Sequence, residues 1–400
     1  MPGIDEIRAA RELLAGVALR TPIFDSRTFS DATGATVLLK AENLQKTGSF
    51  KIRGATNCLA HLTRAQREAG VVTSSAGNHA QGVALAARSL GVRATVYMPI
   101  DAPLSKQAAT RGYGAEVVLE GESFDDAQAA ARRDAGTRPF ISAFDDEHVV
   151  AGQGTVGLEI AEDVPGADVV VVPLGGGGLL SGIAIALRAV HPSCRIVGVQ
   201  ASGCAAFRSS LKAGEPREAG SARTIADGIA VKRPGAVTFP LVRDLVDDIV
   251  EVAEDEIVLA MVALLERAKL VVEGAGAVGL AALLAGRIPV TGKTVVCVLS
   301  GGNIDAALLQ AVVRHGLTSG GRYLVCRTKI LDRPGSLRTL LGHLAEDRIN
   351  IVDVEHHREG IALGVTDVEV ELTLETRDRD HCVEVLETLR RRGYEVDRVR

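Results

Sequence analysis

Apolar positions along this chain follow a short rhythm that alternates with a longer one. "GVRATVYMP" (91–99), "AEVVLE" (115–120), "ADVVVVPLG" (167–175), "RIVGVQ" (195–200) and "KTVVCVLSGG" (293–302) are brief, β-branched runs, the pattern of strands buried on both faces. Between them, Gln81–Leu90, Phe124–Asp134, Leu180–Val190 and Asp255–Leu270 read as helices. Strand and helix in alternation predict an α/β fold, whose ligands sit beyond the carboxyl ends of the strands.

The rhythm changes after "HGLTSGG" (315–321), a stretch of glycine and small polar residues that reads as a linker. Residues 322–331 look like a strand, 335–347 a helix, 349–358 and 364–375 strands, 379–392 a helix and 394–400 a last strand. That βαββαβ order predicts a small ferredoxin-like module. In "DRPGSL" (332–337), Pro334 and Gly335 set a turn and Ser336 is able to cap the helix. His356 and His357 adjoin on a strand and point to opposite faces, a poor metal pair.

Composition narrows the function. Four hundred residues predict two or three domains, and 46% hydrophobic content is ample for their cores. Aromatics at 3% and no tryptophan suit closely packed helices over parallel strands. With 45 basic against 50 acidic residues there is no electrostatic reason to expect nucleic acid or an anionic membrane, which leaves a small molecule. The six cysteines form no CxxC pair and no cationic, apolar leader opens the chain, so a reducing cytoplasm is expected, with neither a disulfide framework nor a structural zinc site. No apolar run reaches the roughly twenty residues of a membrane helix.

Candidate chemistry lies at the strand ends. In "PLGGGGLLSGIA" (173–184) a buried strand runs through four glycines into an apolar helix, so backbone N–H groups and the helix N-terminus can converge on a phosphate. It is neither a Walker loop nor a GxGxxG motif, and a tight strand-to-helix turn is the plainer alternative reading. "VVCVLSGGN" (295–303) leaves Ser300 at a strand end, where a neutral hydroxyl can hydrogen-bond a ring nitrogen or simply make a turn. "SSAGNHAQG" (74–82) offers Ser74, Ser75 and Asn78 to a carboxylate or phenolic oxygen, while His79 at the helix start reads as a packing or capping residue. In "KTGSFKIRGA" (46–55), Lys51 follows small, turn-forming residues; a desolvated lysine amine condenses with an aldehyde. A lysine imine, a phosphate cradle, a ring-nitrogen partner and a phenolic-oxygen contact are the joint requirements of pyridoxal 5′-phosphate.

Those stretches, with "TIADGIAVKRPG" (224–235) and "EGAGAVGLAALL" (273–284), resemble the serine/threonine dehydratases of the fold-type II pyridoxal phosphate enzymes, from about Ile4 to Arg314. The tail, with "DRPGSL" and "INIVDVEHHR", resembles an ACT domain, a combination similar to threonine ammonia-lyases of medium length. The resemblance implies two open, twisted α/β subdomains like tryptophan synthase β: a catalytic domain at 1–314 with a small subdomain at roughly 42–152, a linker at 315–321, and an ACT domain at 322–400. It implies that Lys51 forms the imine, Asn78 meets the phenolic oxygen, Gly175, Gly176, Gly177, Gly178 and Leu179 cradle the phosphate, Ser300 meets the ring nitrogen, and Phe50 lies by the ring. Ser75, Ala76, Gly77 and Asn78 would hold the substrate carboxylate. The implied reaction is deamination of L-threonine to 2-oxobutanoate and ammonia, and of L-serine to pyruvate, with Lys51 as the base at Cα. The implied setting is amino-acid metabolism on the route to isoleucine.

Two departures separate this chain from serine racemase, a relative within the same resemblance. Ala76 stands where the racemase places a proton-giving serine, and Gln200 and Ala206 stand where its divalent-metal site has carboxylates, so no metal site is expected there. Gly335 and Asn350 are the residues expected to bind an amino-acid effector, isoleucine or valine, between paired ACT modules of a homo-oligomer, a dimer or tetramer. The competing expectations are a racemase or β-replacement enzyme on the same scaffold, and a catalytically inert amino-acid sensor.

Overall fold

The computed structural model describes residues 1–358 and 366–399, and the chain divides into two units, Met1–Asp305 and Ala306–Arg400. Strands of the first unit are β1 (Ile23–Asp25), β2 (Thr36–Lys40), β3 (Val71–Ser74), β4 (Ala94–Met98), β5 (Glu116–Leu119), β6 (Val169–Pro173), β7 (Arg195–Ala201), β8 (Asp248–Val252) and β9 (Thr294–Val298). Six of them make one sheet, ordered β1-β2-β9-β6-β7-β8 and parallel except for the β1–β2 pair. β3, β4 and β5 make a second, parallel sheet, extended beside β3 by a bridge from Val72 to Phe140. Every residue of β6 is buried, which is why its sequence is an unbroken apolar run.

The strand order locates the site. From β6 the chain steps outward to β7 and β8, then returns to the other side of β6 as β9. Loops leaving β6 and β9 therefore diverge, and a crevice opens between them at the carboxyl edge. The glycine run follows β6 and Ser300 follows β9.

One long helix, Glu147–Asp163, braces both site-bearing helices. It meets helix Lys51–Ala60 where Gly152 faces Gly54, and helix Gly178–Val190 where Gly154 faces Gly182. A Cβ on Gly152 would lie 2.7 Å from Gly54 Cα, and one on Gly182 would lie 2.5 Å from Gly154 N. Glycine at these crossings lets the backbones touch. A buried quartet of charges, Lys40, Glu42, Arg53 and Glu159, lies beside the first crossing.

The second unit contains helix Ala306–Ser319, β10 (Tyr323–Leu331), helix Ser336–Glu346, β11 (Ile351–His357), β12 (Asp367–Glu375), helix Arg379–Arg391 and β13 (Val396–Arg398). Its antiparallel order, β11-β12-β10-β13, is the ferredoxin-like plan. Cys326, Thr328 and Ile330 are buried while Arg327, Lys329 and Leu331 are exposed, the alternation of a sheet covered on one face.

Three details differ from the expectation. Most of 315–321 is helical, because Val312 and Gly316 bury one face of helix Ala306–Ser319; a glycine there weakens a helix by only about 1 kcal/mol. The division between units accordingly falls at Asp305 and Ala306. Ser336 caps nothing: Gly335, at φ 99°, is the N-cap, and Ser336 is the first helical residue. Of the expected last two strands, Gly364, Val365 and Arg400 lie outside the described residues.

Candidate active site

The lysine loop is zipped onto the loop after β9. Phe50 N–H donates to the Ser300 carbonyl (3.2 Å), Gly302 N–H donates to the Gly48 carbonyl (2.9 Å), and the Asn303 side-chain NH₂ donates to the Thr47 carbonyl (2.6 Å). Thr47 turns its carbonyl toward Asn303 by adopting φ 65°. For a β-branched residue that conformation costs about 1–3 kcal/mol. Gly48 follows at φ 70°, and helix Lys51–Ala60 begins two residues after Ser49.

Asn78 joins the same unit. Its side-chain carbonyl accepts from Asn303 Nδ2 (2.7 Å) and its NH₂ donates to Glu273 Oε1 (2.6 Å). Burial pushes Glu273 up to about 7, helped by nearby Asp227 and opposed by the Asn78 N–H, Lys106 and Lys51. Lys106 in turn pairs with Asp227 at 2.9 Å. Ser75 Oγ accepts from Gly77 N–H at 3.1 Å, which shapes the turn ahead of helix Asn78–Ser89. His79 is buried, its Nε2–H donates to the Ile141 carbonyl (3.1 Å), and it is held to about 3 by burial and then by the Lys51 charge. It is neutral and packs.

Lys51 is half-buried, and its Nζ donates to the Ala143 carbonyl at 2.8 Å. Burial lowers the amine to about 8, with Glu273 pulling the other way. A lysine so placed is largely neutral at mildly alkaline pH and nucleophilic. The Phe50 ring centroid lies 5.0 Å from Nζ.

Ala143 belongs to the segment that runs on from the Val72–Phe140 bridge, and its neighbour Phe144 reaches the glycine run. A Cβ on Gly176 would fall 2.3 Å from Phe144 Cγ, so only glycine fits beneath that ring. Gly177, at φ 95°, is the N-cap of helix Gly178–Val190, and Thr238 Oγ1 donates to the Gly176 carbonyl at 2.6 Å. Among the described residues no backbone carbonyl accepts from the N–H groups of Gly175 to Leu179. They remain a set of donors at a helix N-terminus.

Lys51, Asn78, Ser300 and, through Ala143 and Phe144, the glycine run are thus brought together. Gly335 and Asn350 are not. Gly335 follows the Leu331 end of β10, whereas Asn350 abuts β12 at Glu375, which pairs with Tyr323 at the opposite end. Eight strand steps, about 27 Å, separate those ends, so one amino acid cannot touch both residues within a single copy.

A family description, pyridoxal-phosphate dependent enzyme, matches residues 15–301. The chain belongs to that family. It is 48% identical over 395 residues to L-threonine ammonia-lyase of Thermotoga maritima and 49% over 394 residues to that of Geobacter sulfurreducens, in each case over 98% of both chains. Among solved structures, the processed form of threonine deaminase isoform 2 from Solanum lycopersicum is similar at TM-score 0.75 and 36% identity, over 78% of this chain and 86% of that one. Maize serine racemase is similar at TM-score 0.75 and 37% identity, over 80% and 98%.

The residues present fit the family's coenzyme. Pyridoxal phosphate needs an amine for its aldehyde, donors for its phosphate and phenolic oxygen, and a partner for its ring nitrogen. The half-buried amine, the open N–H groups of the glycine run, the Asn78 NH₂ and the Ser300 hydroxyl match that set in chemistry. Ser49 Oγ and Ser74 Oγ are buried without a partner in the same segments, as expected of groups facing a polar ligand. Glu273, Asn303 and the Ala143 carbonyl were not singled out from sequence. The first two stand in the quoted motifs, a carboxylate ahead of a glycine-rich helix and an amide after two glycines; a backbone carbonyl leaves no mark.

Proposed function

We propose that this protein is a threonine ammonia-lyase, converting L-threonine to 2-oxobutanoate and ammonia, with L-serine a slower substrate giving pyruvate. The observation that carries the reading is the shared hydrogen-bonded unit of the lysine loop, Asn78 and the Ser300 loop, with a neutral hydroxyl at the end of β9. Bound pyridoxal phosphate supplies the electron sink that acidifies the substrate's α C–H bond. Gly175 to Leu179 would bind its phosphate, Ser300 its ring nitrogen and Asn78 its phenolic oxygen, with Phe50 beside the ring. Ser75, Ala76, Gly77 and Asn78 bind the substrate carboxylate by backbone N–H and side-chain donors. Lys51 would hold the coenzyme's aldehyde at rest and would serve the substrate as the general base at Cα. The Cα proton and the β-hydroxyl are lost together as one water, and the released aminocrotonate tautomerises and hydrolyses to the keto acid and ammonia. Ala76 has no proton to deliver to the opposite face, which disfavours racemisation.

The ferredoxin-like unit reads as an ACT module. Because Gly335 and Asn350 lie at opposite ends of its sheet, an effector such as isoleucine or valine would bridge two copies in a dimer or tetramer. No helix of the described residues is long and apolar enough to cross a membrane, and six buried free cysteines suit a cytoplasmic setting. Steady-state keto-acid production from both amino acids, with and without isoleucine or valine, tests this reading. A kcat/KM for serine equal to or above that for threonine overturns the substrate assignment; D-serine as main product overturns the reaction.

A further inference from the structure

An amide side chain looks the same from either end, yet only its NH₂ end can donate to a phenolic oxygen. Which end of Asn78 faces the site is therefore a functional choice, and a chain of contacts decides it. Its first link is the Thr47 carbonyl, which can only accept, so the Asn303 atom 2.6 Å away is its NH₂. That same NH₂ lies 2.7 Å from one end of Asn78, which must then be the carbonyl oxygen. The NH₂ of Asn78 is left with one hydrogen on Glu273 at 2.6 Å and a second to offer. Because the chain starts at a backbone carbonyl, it holds whether Glu273 is ionised or protonated.

Two further features serve this arrangement. Thr47 and Gly48 are successive left-handed residues, and a Cβ on Gly48 would fall 2.3 Å from Asn303 Oδ1, so the loop is shaped around the Asn303 amide. Gly301 keeps the other side open. A Cβ there would stand 2.4 Å from Glu273 Oε1 and 3.0 Å from Asn78 Nδ2, crowding the NH₂ that must be reached.

We infer that Asn303 is a positioning residue that fixes the Asn78 amide with its NH₂ toward the coenzyme's phenolic oxygen, using the strained Thr47 carbonyl as its reference. The inference rests on the coenzyme reading given above. Asn303 touches neither coenzyme nor substrate in this scheme, and acts through Asn78.

A double-mutant cycle tests it on the full chain stripped of coenzyme and titrated with pyridoxal phosphate, read by the visible band. Asn303→Ala is expected to weaken coenzyme binding about 10-fold in the otherwise unchanged protein, and by less than about 2-fold when Asn78 is already alanine. The same loss in both backgrounds overturns the inference, since Asn303 would then only brace the loop. So does a loss below about 2-fold in the unchanged background. Asn303→Asp keeps the size of the side chain but cannot donate, so Asn78 turns its NH₂ away and its carbonyl toward the phenolic oxygen. The visible band, which requires an ionised phenol, is then expected to lose intensity to the near-ultraviolet at neutral pH, and an unchanged spectrum overturns the inference. Failure of the unsubstituted chain to bind pyridoxal phosphate at all is a distinct result that overturns the coenzyme reading itself.

Discussion

Replacing Arg53 with methionine should destabilise the first unit more than any surface charge could. Arg53 is 1% exposed and forks onto Glu42, with Nε to Oε2 at 2.9 Å and Nη2 to Oε1 at 2.8 Å. It also donates to both oxygens of Glu159 (2.6 and 3.0 Å), to Thr155 Oγ1 (3.0 Å) and to the Leu19 carbonyl (2.9 Å). Lys40 completes the set with 2.6 Å to Glu159 and 2.8 Å to the Thr21 carbonyl. Burial alone would lower the guanidinium pKa, but Glu42 and Glu159 outweigh it and raise the net value, so the group stays charged. Two cations thus balance two carboxylates out of water. Methionine leaves one cation for two buried anions, and breaking such a set costs about 3–5 kcal/mol. At about 2 °C per kcal/mol for a unit of this size, Tm should fall by roughly 6–10 °C. Calorimetry and urea unfolding measure it, and because the quartet is buried the loss should persist in 1 M salt, where the Debye length is about 3 Å. Arg53→Lys keeps the charge without the fork and should fall between. Arg53→Met with Glu42→Met removes one charge of each sign and should recover most of the loss. A single variant within about 1 kcal/mol of the unsubstituted protein, or a loss abolished by salt, would refute the reasoning.

Lys51→Ala should abolish the visible coenzyme band and borohydride trapping; in the unsubstituted chain the rate of coenzyme capture should rise about tenfold per pH unit below about pH 8, where half of the amine is neutral, and level off above it. A plateau only near the ordinary lysine range would contradict the burial argument. Gly176→Ala places a Cβ 2.3 Å from Phe144 Cγ, an overpacking cost of about 1–3 kcal/mol that should lower coenzyme content in the purified protein. Glu273→Gln tests the raised carboxyl by its sign. A pKa raised from 4.5 to about 7 on folding gives stability that is present below 4.5 and lost as pH rises through 7, while glutamine does not titrate. The variant's Tm should therefore gain on the unsubstituted protein between pH 4.5 and 7, and a flat or reversed difference would count against it.

The fold was legible in the sequence where burial is uniform. β6 and β9 are buried apolar runs flanked by glycine, so both strands and the crevice between their loops could be inferred from composition and order alone. β1, β2 and β8 left no comparable mark. β1 has only three residues, β2 begins exposed, and β8 is a half-buried edge strand whose "DIVEV" mixes two acids among its apolar residues. The linker reading failed for a related reason: local composition cannot reveal that Gly316 sits on a buried helix face, since the packing partner decides it.

The site divides along the same line, between what a residue's neighbours in sequence say and what distant segments do to it. Lys51, the glycine run and Ser300 announce themselves because their chemistry depends on local backbone: a strand end, a glycine, a helix start. Glu273 and Asn303 act on Asn78 from 195 and 225 positions away, and nothing near either residue encodes that distance. Thr47 runs against its own propensity, for no threonine is expected at φ 65° unless the surroundings hold it there. Those surroundings are the loop after β9 and, behind it, a sheet in which β2 and β9 run side by side, so that the segment following each strand arrives at one edge. Parallel pairing of β2 with β9 is therefore what brings the lysine loop against Ser300 and Asn303. A change that slipped this register by one residue would turn the side chains of β9 to the opposite face and unzip the loop, even with every site residue intact.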